Sequence, residues 1–482
     1  MRSATRADLL LALRVSLLGF IINCKPSEPY LALYLNETKR FSDETLATQI
    51  YPWSLIGTFA LLLPFGLAAE SIGCRPVILI GLVCREATRA LLIFGDQTWQ
   101  MALMQVAYGA GAAADAVYFA FVYTIAPSAR YALLTSAVFG GYHLGNVLGA
   151  TLAEALVSWL VPRWRLDVTP LFYISWVTCS LGLLAFLLLP RPKRQLEESL
   201  AKQLCRYGSI PTLKRVLSLY NSRSAMMWWV WWVLASGGQL IVLDYFQLQL
   251  LSVSHNVPFG LLEAAVEGGL VIGAVCALPA MMHAANRPVT FLVSTSLMRV
   301  AALGGSILSS RRHGGSSGST SSTAAAAALP FLLNVIAAAL FGLQNAVGRS
   351  LLATHFTATS TSSSEEGGGG DGDGEQQQQA ERVPLLFSAN TLLANGLAAA
   401  VGGAGAGVGW SANGYIASAV VMQLLVALSA PSFSMRHRSL RNVRLGARGE
   451  VTVPQRLEEE DGPPAPGGGS DHESVVVVEQ RR

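Results

Sequence analysis

The chain has 482 residues, of which 52% are hydrophobic and only 13% charged, against about 25% charged residues in an ordinary globular protein. Its net charge of +4 is small and most of its basic residues fall in loop positions, which excludes a nucleic-acid surface and fits a chain oriented in a lipid bilayer. The six cysteines have neither CxxC spacing nor a His partner, and no P-loop, Rossmann fingerprint, HExxH or nucleophile-His-acid pattern occurs. Neither a metal site, a cofactor nor an enzyme active site is expected.

From the N-terminus, Arg2, Arg6 and Arg14 precede an apolar stretch with no small-residue cleavage site after it, which reads as a retained first helix. A bilayer core of about 30 Å needs about 20 apolar residues per helix. Runs of that size lie near 8–24, 49–69, 76–95, 99–125, 131–161 and 168–190, then near 226–251, 258–285, 288–310, 326–357, 383–407 and 411–431. The spacing predicts an all-α membrane protein with two six-helix halves, 1–190 and 226–432.

The polar segment 191–225 between them contains Arg191, Lys193, Arg194, Lys202, Arg206, Lys214, Arg215 and Arg223. The positive-inside rule makes it cytoplasmic, and an even number of helices then places both termini inside. Arg75, Arg130 and Arg287 agree with this orientation; Arg311 and Arg312 do not. Low-complexity stretches at 311–325 and 359–381 read as disordered insertions, and 433–482 as a disordered cytoplasmic tail. Asn36-Glu37-Thr38 is a glycosylation sequon in the first predicted extracellular loop, a pattern that also arises by chance.

Ionisable side chains inside apolar runs are costly unless they face a cavity or a partner. Glu28 follows the first run within Cys24-Lys25-Pro26-Ser27-Glu28-Pro29-Tyr30, where two prolines interrupt helical hydrogen bonding. Asp115 lies in the fourth run among small residues, with Tyr118 three positions on and Tyr108 seven back. At helical spacing these three share a face that suits an organic cation; the other account of Asp115 is a carboxylate paired with a neighbouring helix, and the ligand is the preferred one. Asp244 in the seventh run, and Glu263 and Glu267 in the eighth, offer a matching acidic wall. Glu86 and Arg89 are spaced for a local ion pair, Arg299 is a lone cation in the ninth run, and Trp228, Trp229, Trp231 and Trp232 read as a headgroup-level aromatic belt.

Several motifs, taken in order, resemble the reduced-folate and thiamine carrier family, a branch of the major-facilitator fold. They are KPSEPYL at 25–31, Leu63-Pro64 through Glu70 to Arg75-Pro76-Val77, Tyr118 to Tyr123 with Pro127 and Arg130-Tyr131, Leu189 to Lys193, Trp228 to Trp232, and Ser388-Ala389-Asn390-Thr391. The resemblance spans about 8–431 apart from the two insertions, and it implies alternating access around a central site.

Folate carriers have arginine at the fourth-helix position that is Asp115 here, and two further basic residues where this chain has Gly342 and Ala398; thiamine carriers have glutamate at the first. The resemblance therefore favours a cation such as thiamine. It implies substrate contacts at Glu28, Tyr118, Asp244 and Glu263, an aromatic wall at Tyr142, and a second-helix tryptophan that Trp53 matches one position off. Asp244 stands where those carriers have asparagine, and Gln105 where glutamate is usual.

The expected function is uptake of thiamine across a membrane, the plasma membrane first of all, with lipid as the other partner. An empty acidic cavity must stay hydrated or protonated, so proton exchange for substrate is compatible with this reading. Alternatives are a pyridoxine-like solute, a folate-type anion held by Arg85, Arg89 or Arg299, and a membrane receptor or scaffold that binds without transporting.

Overall fold

The computed structural model describes residues 5–42, 45–164, 168–191, 223–251, 258–313, 322–358, 383–434, 444–445 and 451–452. Most of the 191–225 linker, most of both insertions and most of the tail lie outside the described residues. Those residues form twelve long helices: α1 (Arg6–Asn23), α2 (Pro52–Ile72), α3 (Cys74–Phe94), α4 (Thr98–Ile125), α5 (Tyr131–Trp164), α6 (Thr169–Leu187), α7 (Arg223–Leu251), α8 (Phe259–Asn286), α9 (Pro288–His313), α10 (Ser322–Ala358), α11 (Val383–Val408) and α12 (Ala412–Ser434). Nine of the described helices are long and apolar enough to cross a membrane by length and composition alone. The third run, α3, carries Arg85, Glu86 and Arg89 within its apolar stretch.

The helix ends follow from local chemistry. Thr5 and Asp8 form a reciprocal capping box at the start of α1, satisfying backbone N–H groups that the first turn leaves free. Gln97 and Gln100 do the same for α4, and Pro52 and Pro170 occupy first-turn positions of α2 and α6, where no N–H is needed. Gly73 joins α2 to α3 at φ 91°, a left-handed conformation that a Cβ disfavours. After α1 the chain does not continue as helix: beyond Lys25-Pro26 it makes a turn and a 3₁₀ segment, Glu28–Tyr30, whose entry is fixed by the Ser27 N–H donating to Ser175 Oγ at 2.9 Å.

Within residues 3–437, α1 packs on α5 and α6, α2 and α3 on α4, α7 on α11 and α12, α8 on α10, and α9 on α10 and α12. The first six helices meet the last six mainly through α5 against α8 and through α11 against α2 and α4. Small residues permit the approach: a Cβ at Gly109 of α4 would lie 2.5 Å from the Ser54 carbonyl of α2, and one at Gly149 of α5 would lie 2.6 Å from the backbone N of Lys25. Large apolar side chains point outward, Leu187 at 70% and Leu428 at 72% exposure, a pattern that water would penalise and lipid does not.

Trp228, Trp231 and Trp232 correct the aromatic-belt expectation. All three are buried, at 2%, 2% and 1% exposure, in an edge-to-face series that ends on Phe387 of α11 with ring centroids 4.6 Å apart. The indoles pack into the bundle, and Gly348 of α10 leaves room for the Trp231 ring. Outside residues 3–437, β1 (Arg444–Leu445) pairs antiparallel with β2 (Val451–Thr452).

Candidate functional site

Polar side chains converge along the contact between the two helix sets. On α4, Asp115 has a resident partner: Nη2 of Arg85, from α3, lies 2.7 and 2.6 Å from its two carboxylate oxygens. Tyr142 of α5 donates its hydroxyl to the same carboxylate at 3.0 Å. Arg85 is almost fully covered and Asp115 mostly so, so each charge depends on the other. The account given second place in the sequence, a carboxylate paired with a neighbouring helix, is the one that describes this geometry.

One turn along α3, Arg89 reaches the segment after α1, with Nη2 2.8 Å from Glu28 Oε1. Lys25 Nζ lies 3.0 Å from the same oxygen and 5.9 Å from the centroid of the Tyr108 ring. The expected Glu86–Arg89 pair is absent among the described residues, because the two side chains leave α3 in different directions. Glu86 faces α6, accepting from Trp176 Nε1 at 2.8 Å and Ser180 Oγ at 3.0 Å.

Tyr118 does not share the open face with Asp115 and Tyr108. It is buried against α1, donating to the Val15 carbonyl at 2.7 Å and accepting from the Gly19 N–H at 3.0 Å. Positions 115 and 118 lie about 60° apart around the helix axis, and Tyr118 is on the side that meets α1. A small cavity between α1, α3 and α4 touches Leu18, Ile78, Gly81, Arg85, Asp115 and Tyr118.

Across from this wall, Glu263 of α8 lies within electrostatic reach of Glu28, Lys25 and Glu267, yet among the described residues it makes no hydrogen bond or ion pair. Glu267, one turn further, is 2.5 Å from Nδ1 of His143 on α5. Nearer the α1–α2 connection, Glu154 of α5 accepts from the Tyr30 hydroxyl and from the Gly260 N–H at the first turn of α8, both at 3.1 Å, an anion at a helix N-terminus. Asp244 is exposed on α7 and, among the described residues, makes no hydrogen bond or ion pair, while its neighbour Tyr245 stacks on Tyr415 of α12 with centroids 3.8 Å apart. Trp53 is 43% exposed on α2, and Asn36 is exposed with its amide donating to the Phe41 carbonyl at 3.2 Å.

Toward the opposite end, Arg349 of α10 sits among three rings, 4.9 Å from Phe119 of α4, 4.5 Å from Trp232 of α7 and 5.8 Å from Phe387 of α11. Arg299 is fully buried on α9, bonded to Gln239 and placed 4.8 Å from the Phe341 ring. It is part of the packing of the second helix set. Gly342 packs closely on the α8 backbone at Leu270, which leaves no space there for a basic side chain.

Structure thus brings Glu28, Tyr108, Asp115, Tyr142 and Glu263 to one seam, turns Tyr118 behind it, and leaves Trp53 and Asp244 apart. Sequence reasoning missed Lys25, His143, Glu154 and Arg349. Each is an ionisable residue within or just beyond an apolar run, the signal that drew attention to Glu28 and Asp115.

This arrangement of twelve long helices is the major-facilitator fold. Solved structures align over nearly the whole chain: the fucose transporter FucP in its outward conformation, with TM-score 0.60 and 14% identity over 90% of this chain and 100% of that one, and the proton:xylose symporter XylE, with TM-score 0.58 and 13% identity over 88% and 95%. By sequence the chain is similar to reduced-folate and thiamine carriers over about half of its length. Residues 9–204 match the reduced folate carrier family. Folate transporter 1 of Caenorhabditis elegans is 26% identical over 276 residues, 52% of this chain and 60% of that protein. Thiamine transporter 1 of Mus musculus is 25% identical over 282 residues, 48% of this chain and 56% of that protein. A folate-like transporter of Dictyostelium discoideum is 26% identical over 242 residues, 49% and 40% respectively. The matches therefore span about half the length of these relatives.

Proposed function

We propose that this multi-pass membrane protein carries a vitamin across a membrane by alternating access, and that the vitamin is an organic cation, thiamine first of all. The carrying observation is the Glu263 carboxylate. On the α1–α6 side, Asp115 and Glu28 have basic partners: Asp115 is held by Arg85, and Glu28 by Lys25 and Arg89. Arg299 and Arg349 are covered by rings. Among the described residues, Glu263 facing the seam and Asp244 on α7 are acids with neither an ion pair nor a hydrogen bond.

A thiazolium cation placed against Glu263 gains charge complementarity, and the Tyr108 and Tyr142 rings add about 0.5–2 kcal/mol for a well-placed cation–π contact. Glu28 and Asp115 are the acceptors for an aminopyrimidine that displaces or shares their basic partners. In this reading both termini and the 191–225 segment face the cytoplasm, the α1–α2 connection faces outward, and the membrane is the plasma membrane.

A folate-type anion is the second reading. It draws support from the three basic residues against two acids at Lys25, Arg85, Arg89, Glu28 and Asp115, and from the folate transporters among the relatives. Uptake of radiolabelled thiamine by cells expressing the chain, with folate and pyridoxine as competitors, tests the choice. Thiamine uptake resistant to folate is expected; labelled folate uptake without thiamine uptake would overturn the cation assignment. Ligand binding with no uptake and no counterflow would instead make the protein a receptor.

A further inference from the structure

Lys25 has no ligand of its own in the cation reading, yet it is the surplus base of the seam. Its Nζ lies 3.0 Å from Glu28 Oε1, and Nη2 of Arg89 lies 2.8 Å from the same oxygen, so two cations share one carboxylate. Arg89 suffices for Glu28 and is anchored besides, with Nη1 3.4 Å from Ser27 Oγ and its side chain almost fully buried. The Arg85–Asp115 pair beside it is one to one. This wall therefore sets three bases, Lys25, Arg85 and Arg89, against the two acids Glu28 and Asp115.

Across the seam the sign reverses. Glu263 of α8 has neither an ion pair nor a hydrogen bond among the described residues, and it lies within electrostatic reach of Lys25 and Glu28. The neighbouring acids are engaged, Glu267 with His143 and Glu154 with the Tyr30 hydroxyl and the Gly260 N–H. A surplus base and a partnerless acid thus face each other without meeting. A simple cation at Glu263 satisfies the acid but is repelled by the surplus positive charge of the opposite wall. A simple anion at Lys25 has the converse fault. A solute that carries both charges satisfies both walls at once.

We propose that the seam selects zwitterions, organic cations that carry an anionic group, and that Lys25 is the residue that reads the anionic group. The inference rests on the cation reading above and narrows it. An ammonium has three N–H donors on a flexible stem, so Lys25 can turn from Glu28 to an incoming anionic group while Arg89 keeps Glu28 paired. In the loaded state every acid has one cation: Glu28 has Arg89, Asp115 has Arg85, the anionic group of the solute has Lys25, and Glu263 has the cationic ring of the solute. Charge-assisted hydrogen bonds of this kind are about twice as strong as neutral ones. The Lys25 side chain is only 7% exposed, so water screens the contact little. No covalent bond forms or breaks.

The test compares three ligands on the purified full-length protein by calorimetry. They are thiamine, the analogue in which its hydroxyethyl group is oxidised to carboxymethyl, and the methyl ester of that acid. The acid is a zwitterion of nearly the same size as thiamine, and the ester is again a simple cation. The zwitterion should bind the native protein at least about tenfold more tightly than the ester, the scale of one hydrogen bond between charged groups. In Lys25→Gln, which keeps a donor but not the charge, that ratio should fall to about onefold. Proteoliposomes loaded with the zwitterion should also exchange it for labelled thiamine.

A smaller preference in the native protein, or a preference that survives in Lys25→Gln, would overturn the proposal and leave the cation reading standing. Binding without exchange would make the zwitterion an inhibitor and likewise overturn it as a substrate class. Binding of none of the three ligands would overturn the cation reading and the proposal together. The native comparison needs no variant, so it decides the matter even where Lys25→Gln does not fold.

Discussion

The wall contributed by α1, α3 and α4 and the wall contributed by α8 both contain ionisable groups, but they use them differently. On the first, each acid has a base: Asp115 with Arg85, Glu28 with Lys25 and Arg89. On the second, Glu267 is bound to an imidazole and Glu263 has no partner among the described residues. The first wall is a preassembled polar frame in which each acid lies beside a base, whereas the second keeps a charge available to something that arrives from outside. An ionisable residue in a membrane helix is thus evidence for a site only after its partners are known.

The largest expected effect falls on the frame. Asp115→Asn removes the countercharge of a buried arginine, and breaking such a pair costs about 3–5 kcal/mol. It should sharply lower the amount of folded protein and its thermal midpoint in detergent, and Arg85→Gln in the same chain should recover much of both. If Asp115→Asn folds as well as the native protein, the matched-frame account of the first wall fails.

An intermediate effect is expected where the two helix sets meet around Arg349. Arg349→Gln forfeits the interactions with Phe119, Trp232 and Phe387, about 0.5–2 kcal/mol for a desolvated cation–π contact. It should raise several-fold the rate at which a cysteine introduced at the buried Ser388 reacts with maleimide, above the background of the native cysteines. An unchanged rate would show that the ring-enclosed cation does not tie α10 to α4, α7 and α11 there. Smallest is Trp53→Ala on the exposed face of α2, which should change thiamine uptake less than about twofold, in line with the small effects of surface substitutions away from a site. A tenfold loss would bring Trp53 back to the site and require α2 to turn.

The helices themselves were legible in the sequence because length and hydropathy set them: all twelve apolar runs coincide with helices to within a few residues. The interrupted segment after α1 was legible for a similar reason, since Pro26 and Pro29 act locally. Pairing was not legible. Whether Asp115 meets a ligand or Arg85 depends on the rotation of α3 against α4, and no spacing within either helix reports it. Tyr118 shows how narrow the margin is: a position three residues from Asp115 is turned far enough to bond α1. The tryptophans at 228–232 failed for another reason, because belt and core tryptophans have the same composition and differ only in which neighbours cover them. Arg349 resembles an interfacial anchor near the end of an apolar run, and only the rings of three other helices reveal it as enclosed.

The uncovered carboxylate is the centre of this account, and Glu263→Gln tests it most directly because it deletes the charge while preserving size. Initial rates of labelled thiamine uptake should be compared with the native protein at equal surface expression, alongside Glu263→Asp. The account predicts loss of at least about tenfold for glutamine, equivalent to about 1.4 kcal/mol of transition-state or binding free energy, with partial retention for aspartate. Undiminished thiamine uptake by a well-expressed Glu263→Gln protein would contradict it.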